Sequence, residues 1–392
     1  MALGAIGVSL FAASLIMSAF SAHAEELSPS ELSYGLSFSC QSPGQAAVAL
    51  PQVTAYLKSL GIGAELIRTH AKSDAFGVAL REEYAGGSTL DIAASRVFNV
   101  AADLVPLLDP RGAEKLVPTV SKREIALALM HDGRKTKFSG EDCGVEQLKD
   151  DVGVRQTTVA WTQTVEFGWP EGGPASWNET FWKKGTPLEG VNLHTALTDM
   201  VVNPYKYSIG CYTAAKMVLA AGAIDYYTRI KRSPEDARKI IEALMVDGDP
   251  LVNLEPGVAW FFEEGFTSED AAIPGKIMDV AHGVKPGNFV PGDWIYMLNP
   301  DEVSYQKTGY EGSNAIYLGM NKFSDYYNDH EHSFSYRQKL NEVYQWRHGV
   351  FSRTRDAEKV VPLTDSDYDQ LSLSPEKGGL VIPNRIVPRP LK

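Results

Sequence analysis

An α+β fold follows from two patterns in this chain and from their order. Cys211, Ala214, Ala215, Val218 and Leu219 recur at i, i+3, i+4, i+7 and i+8, so a helix begins at the cysteine with one face in a core. Between Pro291 and Tyr336, short β-branched and aromatic runs are separated by Gly, Pro, Asn and Asp, as strands joined by turns would be. Helix first and a group of strands after it, rather than a strand following every helix, predicts α+β.

The chain opens with a leader. Ile6 through Phe20 is apolar and uncharged, Ala22-His23-Ala24 is a small-x-small cleavage site, and Glu25-Glu26 follows, so residues 1–24 read as a secretory signal peptide although the start of the leader has no Lys or Arg. No later run approaches the roughly 18 apolar residues that span a bilayer. The mature protein is expected to be exported, periplasmic or secreted, without a membrane span. With 392 residues, net charge −12 and 44% apolar content, it has material for about two domains. It has no basic stripe with which to meet nucleic acid.

Cysteine usage fits export. Three cysteines leave one thiol over, and the economical pairing is Cys40 with Cys143, tying the start of the mature chain to the end of its first region and leaving Cys211 unpaired. The alternative is that all three are reduced and buried.

Residues 25–150 form an N-terminal mixed or helical region of unknown role. Ala46–Leu60 has helical spacing interrupted by Pro51, which suits a first turn better than an interior. Ile62–Arg68 and Ala75–Leu80 read as strands, and Ile92–Leu108 and Arg123–Met130 as helices. Glu82, Glu83 and His131 read as solvated surface. Residues 151–200 form a connecting segment that holds four of the seven tryptophans. Val154–Thr164 is β-branched and strand-like. After it, Trp169, Trp177 and Trp182 lie among Gly and Pro, either in a loop over a cleft or in a compact loop pinned by its own aromatics.

Residues 201–350 carry the chemistry, and 351–392 form a C-terminal tail. At a helix start, unpaired N–H groups and the positive end of the dipole favour a thiolate, and Ser208 is placed to cap the Cys211 helix. Cys211 is thus a candidate nucleophile, or else a small apolar residue on the buried face. Ser233-Pro234-Glu235-Asp236 starts another helix running through Met245. Trp294–Leu298 is a strand between Pro291-Gly292-Asp293 and Asn299-Pro300-Asp301. Ala315–Leu318, Lys322–Tyr327 and His330–Tyr336 are further extended pieces, and Arg337–Arg347 is a helix with Leu340, Val343, Tyr344 and Arg347 at its spacing.

The succession of a Cys-led helix, Pro291-Gly292-Asp293-Trp294-Ile295-Tyr296-Met297, Gly312-Ser313-Asn314-Ala315-Ile316-Tyr317-Leu318-Gly319 and Lys322-Phe323 resembles the papain-like NlpC/P60 superfamily. Within that superfamily it resembles the bacterial spore-coat protein-glutamine γ-glutamyltransferases (transglutaminases). The resemblance covers Tyr205–Arg347. It implies an NlpC/P60-like catalytic domain, with its Cys at a helix N-terminus packed on an antiparallel sheet, beside an additional N-terminal domain. By position it matches Cys211 to the acyl-accepting cysteine, and His332, with His330 competing, to the histidine before the last helix. Two departures stand out. The transglutaminases have an acidic residue just before the cysteine, where this chain has Gly210. Their second acidic partner, or the general-base His of the peptidases, falls where this chain has Ser313. Neither Gly210 nor Ser313 can act as a base.

Replacements are available in the sequence. In Asp329-His330-Glu331-His332 the histidines alternate with acids, so on a strand both imidazoles share a face. Glu311 could turn inward for the missing acid. A solvated turn, or a divalent metal site with Asp325, are the other readings of Asp329–His332. The leading expectation is an exported cysteine acyltransferase, with Cys211, His332, His330 and Glu311 as its site, no cofactor and no metal. Its partners would be proteins or peptides that supply glutamine and amine. A peptidoglycan or peptide amide hydrolase, and a non-catalytic protein retaining the fold, are the alternatives.

Overall fold

The computed structural model describes residues 33–170, 173–246, 278–328, 332–351 and 356–388. The leader and His330 lie outside these residues. The fold is mixed α+β, with a four-stranded and a six-stranded sheet, two two-stranded ribbons and a group of buried helices between the larger sheets.

The first sheet has the order β2-β3-β1-β6, built from β1 (Gly35–Cys40), β2 (Ile67–Ala71), β3 (Ala75–Leu80) and β6 (Lys135–Gly140). β1 runs parallel to β6 and antiparallel to β3, and the disulfide Cys40–Cys143 closes the end of the parallel pair. Helix α1 (Pro43–Ser59) packs on this sheet. Ser42 caps it by accepting from the Gln45 N–H, so Pro43, not Pro51, occupies the first turn and Pro51 lies in the interior.

Ile92–Leu108 is not a helix. Its end forms β4 (Asp103–Leu108), paired with β5 (Glu114–Thr119). Val105 and Leu107 are buried while Leu104 is exposed, a period of two that Pro106 keeps out of a helix. Helix α2 (Lys122–Met130) follows as expected. His131 beyond it is buried rather than solvated, and burial lowers its pKa.

The larger correction concerns Val154–Thr164, which belongs to helix α3 (Val145–Thr162) rather than to a strand. The helix is buried almost all round, so tertiary packing overrides its β-branched content. Thr157 and Thr162 satisfy their hydroxyls on carbonyls one turn back, those of Gly153 and Thr158. α3 lies against the Cys211 helix and also touches the second sheet. The proposed boundary at 150 therefore falls inside a core helix, and that at 200 inside α4 (Leu193–Val202).

Two short strands, β7 (Trp182–Lys183) and β8 (Thr186–Pro187), precede α4, and after it come α5 (Cys211–Asp225) and α6 (Pro234–Val246). The second sheet, of order β13-β12-β11-β10-β14-β9, comprises β9 (Met278–Ala281), β10 (Trp294–Leu298), β11 (Gly312–Gly319), β12 (Lys322–Ser324), β13 (Ser333–Ser335) and β14 (Arg385–Pro388), every pair antiparallel. Its neighbours are α5 and α3 on one side, and α7 (Tyr336–Gln345) with α8 (Asp365–Leu371) after it on the other. Alternation assigns the faces: Trp294, Ile316 and Leu318 join the core that holds α5, while Ile295, Met297, Ala315, Tyr317 and Phe323 join Leu340 and Val343 of α7. Burial on both faces is why β11 reads in sequence as a nearly continuous apolar run.

One buried ion network ties the halves together. Asp293, in the Pro291-Gly292-Asp293 turn, takes both guanidinium arms of Arg134 and, at 2.9 Å, Nη1 of Arg155, whose Nε reaches Asp151 at 3.1 Å. Burial works against the Asp293 charge, but the two arginines outweigh it and hold its carboxyl below the usual carboxylate range. Gly292 has φ +88°, and a Cβ there would press on Arg155 at 3.1 Å, so the turn before β10 needs glycine.

Candidate active site

Cys211 is the first residue of α5. Gly210, not Ser208, is its N-cap, and no side chain hydrogen-bonds into the first turn. The approach to the cysteine is held instead by backbone pairing with the tryptophan-rich segment. Gly168 N–H donates to Tyr207 C=O at 2.8 Å, and Ser176 and Ser208 exchange bonds at 2.8 and 3.0 Å. Trp177 and Trp182 pack on each other, and Trp177 meets the Tyr207 ring edge-on. Trp169 reaches further and packs edge-on against Tyr310 and Tyr327. The segment is thus partly pinned by its own aromatics and partly laid over a cleft.

The depth of α5 is set by its crossing with α3. A Cβ on Gly222 would lie 2.6 Å from Thr158 Cα and 2.8 Å from its N, so only glycine admits this approach. At the other end, the thiol faces Asn314 of β11, whose Nδ2 donates to Cys211 Sγ at 3.5 Å. Trp294 Nε1 donates to Asn314 Oδ1 at 2.9 Å, which fixes the amide with its NH₂ toward the sulfur. Asn314 shares its face of β11 with Ile316 and Leu318, the side packed on α5.

Cys211 opens into a cavity of about 40 Å³ walled by Trp169, Tyr310, Tyr327 and Trp346 and floored by Ser313, Asn314, Asp325, Lys339 and Glu342. That is more than the roughly 10–15 Å³ of such space that one water needs, and the cavity is partly open to solvent. Burial raises the Cys211 pKa, and the Asn314 side-chain and backbone bonds and the Lys339 charge offset only part of that. The resting sulfur is therefore a thiol, whereas its place at a helix start suggested a thiolate. Lys339 and Glu342 pair at 2.8 Å one turn apart on α7, both buried. Asp325, also buried, follows β12.

The other expected site residues sit differently. His332 places Nε2 3.3 Å from Glu166 Oε1, a half-exposed pair outside the cavity lining. Glu311 Oε2 accepts the Gly309 N–H at 2.9 Å and does not line the cavity either. His330 lies outside the described residues. Among those described, no histidine lines the cavity, and no group of three or more His, Cys, Asp or Glu could hold a metal ion. Asn314, Lys339 and Glu342 were not picked out as site residues from the sequence, and Asp325 was considered only as a metal ligand. Asn314 was visible in the Gly312-Ser313-Asn314 motif. Lys339 had a signal of its own, because it shares the buried face of α7 with Tyr336, Leu340 and Val343.

Cys211, at a helix start, thus faces an asparagine of an antiparallel sheet, with the carboxylates of Asp325 and Glu342 lining the same cavity. Residues 273–344 match the model of the family described as protein-glutamine gamma-glutamyltransferase. That match supports a protein-glutamine gamma-glutamyltransferase-like enzyme, with β10, β11 and Asn314 inside the matched segment and Cys211 outside it. No curated protein matches the chain. Among solved structures it is similar to a transglutaminase from Geobacillus stearothermophilus (without its C-terminal extension), at 17% identity and a TM-score of 0.36 over 62% of this chain and 93% of that one. No helix among the described residues is long and apolar enough to cross a membrane.

Proposed function

We propose that this protein is an exported cysteine acyltransferase that moves the γ-glutamyl group of a protein glutamine onto a primary amine through a Cys211 thioester. The observation that carries the reading is the Cys211–Asn314 contact, which joins a helix-start thiol to the strand inside the family match. Its setting on an antiparallel sheet supports a papain-like arrangement. The leader at residues 1–24 and the Cys40–Cys143 disulfide support export to an oxidising compartment.

In the proposed reaction the Cys211 proton passes to the Asp325 carboxylate as sulfur attacks the glutamine γ-carbon. The developing oxyanion is met by the Cys211 N–H, which as the first of a helix has no intrahelical acceptor, and by Asn314 Nδ2. The carbon–nitrogen bond breaks, the NH₂ group takes the proton from Asp325, and ammonia leaves a thioester. A primary amine then attacks and gives one proton to Asp325. The carbon–sulfur bond breaks, Cys211 recovers its proton, and the product is an isopeptide. Water in place of the amine gives glutamate.

Asp325 replaces His332, His330 and Glu311 in this scheme because it lines the Cys211 cavity, which neither His332 nor Glu311 does. The test is incorporation of a fluorescent primary amine into casein by the full mature chain. Incorporation is expected from the wild type and lost in Cys211→Ala. Incorporation that persists in Cys211→Ala would remove the nucleophile from the scheme.

A further inference from the structure

The chain lacks acids at both positions where the resembling transglutaminases carry them, yet the Cys211 cavity holds a buried charge cluster of its own. Lys339 Nζ lies 2.8 Å from Glu342 Oε2 and 4.7 Å above the centre of the Phe334 ring, with its residue 4% exposed. A lysine and two carboxylates, Glu342 and Asp325, thus line one cavity of about 40 Å³ with a single thiol. Other buried charges among the described residues join parts of the core: Arg134 and Arg155 meet on Asp293, and Asp225 bridges Trp161 and Arg229. An ion pair built by a neighbouring helix into a thiol's cavity gains nothing in stability over apolar residues of the same size. It does supply a fixed positive charge beside a group that must become negative.

From this juxtaposition we infer that Lys339, held by Glu342, is the positioning residue that makes the Cys211 thiolate accessible, filling the place that a histidine takes in cysteine peptidases. Burial opposes the Lys339 charge, but Glu342 and Asp325 keep the ammonium protonated. Proton transfer from Cys211 to Asp325 moves one negative charge from carboxylate to sulfur, and a stationary ammonium in the same cavity balances the charge before and after. The groups facing Cys211 are Asn314 and Ser313 from β11, Asp325 and Tyr326 beyond β12, and Lys339 and Glu342 from α7. The Tyr296 hydroxyl of β10 also feels the thiolate. Of these only Lys339 is a cation. The inference rests on the reading of Cys211 as the nucleophile.

Its test does not use the transfer reaction. With Cys40 and Cys143 joined, Cys211 is the one thiol iodoacetamide can alkylate. The pH midpoint of its alkylation is compared in the wild type, Lys339→Met, Lys339→Arg, His332→Ala and the double variant Lys339→Met/Glu342→Met. The double variant removes the whole pair, so Glu342 is not left without its partner, and it keeps the test open if Lys339→Met fails to fold. The midpoint is expected to rise by about one unit, a roughly tenfold slower alkylation at neutral pH, in Lys339→Met and in the double variant. Lys339→Arg and His332→Ala should stay near the wild type. An unchanged midpoint in the folded Met variants, or a rise in His332→Ala instead, would overturn the assignment. Amine incorporation by the wild type, measured separately, reports on the transferase reading alone.

Discussion

Glu124 gives the most quantitative prediction. Its carboxyl is buried at the start of α2, accepts the Met320 N–H at 2.7 Å from the turn between β11 and β12, and leaves Oε2 without a partner. Burial pushes its pKa up from 4.5 to about 7, with the Met320 bond pulling back. The folded state therefore keeps a proton that the unfolded state gives up. Stability from this group is fully present below about pH 4.5 and is lost as pH rises toward 7. A shift of about 2.5 units corresponds to roughly 3 kcal/mol at 1.36 kcal/mol per unit. Glu124→Gln keeps the acceptor for Met320 and removes the titration. Urea unfolding from pH 4 to 8 should then show variant and wild type alike at pH 4, with the variant gaining up to about 3 kcal/mol by pH 8. A stability difference that does not change with pH would refute the buried, proton-holding carboxyl.

Three further predictions test the frame around the site. Asp293→Ala leaves Arg134 and Arg155 buried without their shared carboxylate and should destabilise by about 3–5 kcal/mol in urea. Because the Asp293 pKa is depressed, its contribution is present above the unfolded carboxylate range and is lost as acid reaches its lowered value. Gly222→Ala should lower the melting temperature and slow Cys211 alkylation together, since the clash is with Thr158 backbone and α5 must shift. A melting temperature equal to the wild type would disprove that crossing. Reducing Cys40–Cys143, which are 103 residues apart, should cost about 2–5 kcal/mol, read by unfolding with and without dithiothreitol.

The Cys211 helix and the strands after Pro291 were legible because their patterns are local: a 3.6-residue stripe, and apolar runs bounded by Gly, Pro and Asn. The unpaired Cys211 followed from counting three cysteines in a chain whose leader reads as a signal peptide. Val154–Thr164 misled because β-branched residues in a helix buried on all sides carry the composition of a strand, and only the approach of α5 at Gly222 explains them. Ser208 was a plausible cap by type, but the cap position depends on which residue has the extended backbone before the helix, and that is Gly210. His332 was matched to the histidine before the last helix by the resemblance, and Glu311 was offered as a stand-in for the missing acid two residues before Ser313. What sequence order does not give is that α7 crosses the far side of the sheet, so that Lys339 and Glu342 reach the cavity while His332 turns to Glu166.

The same contacts bear on what residues 25–150 are for. If they were an appended domain, the Cys211 region would keep its core without them. Instead α3 starts at Val145, carries Arg155 to Asp293 and lies along α5, while Arg134 just before β6 supplies the other arm. A chain begun at 151 loses the first six residues of α3, Arg134 and the whole Cys40–Cys143 disulfide. It also leaves Asp293 with one arginine, at the turn that starts β10 and so sets the register of Asn314 against Tyr296. The N-terminal half therefore acts on the chemistry at one remove. It fixes the depth of α5 through α3 and the start of β10 through Asp293; the thiol sits at the start of α5, and the amide it faces is on β11, the strand paired with β10.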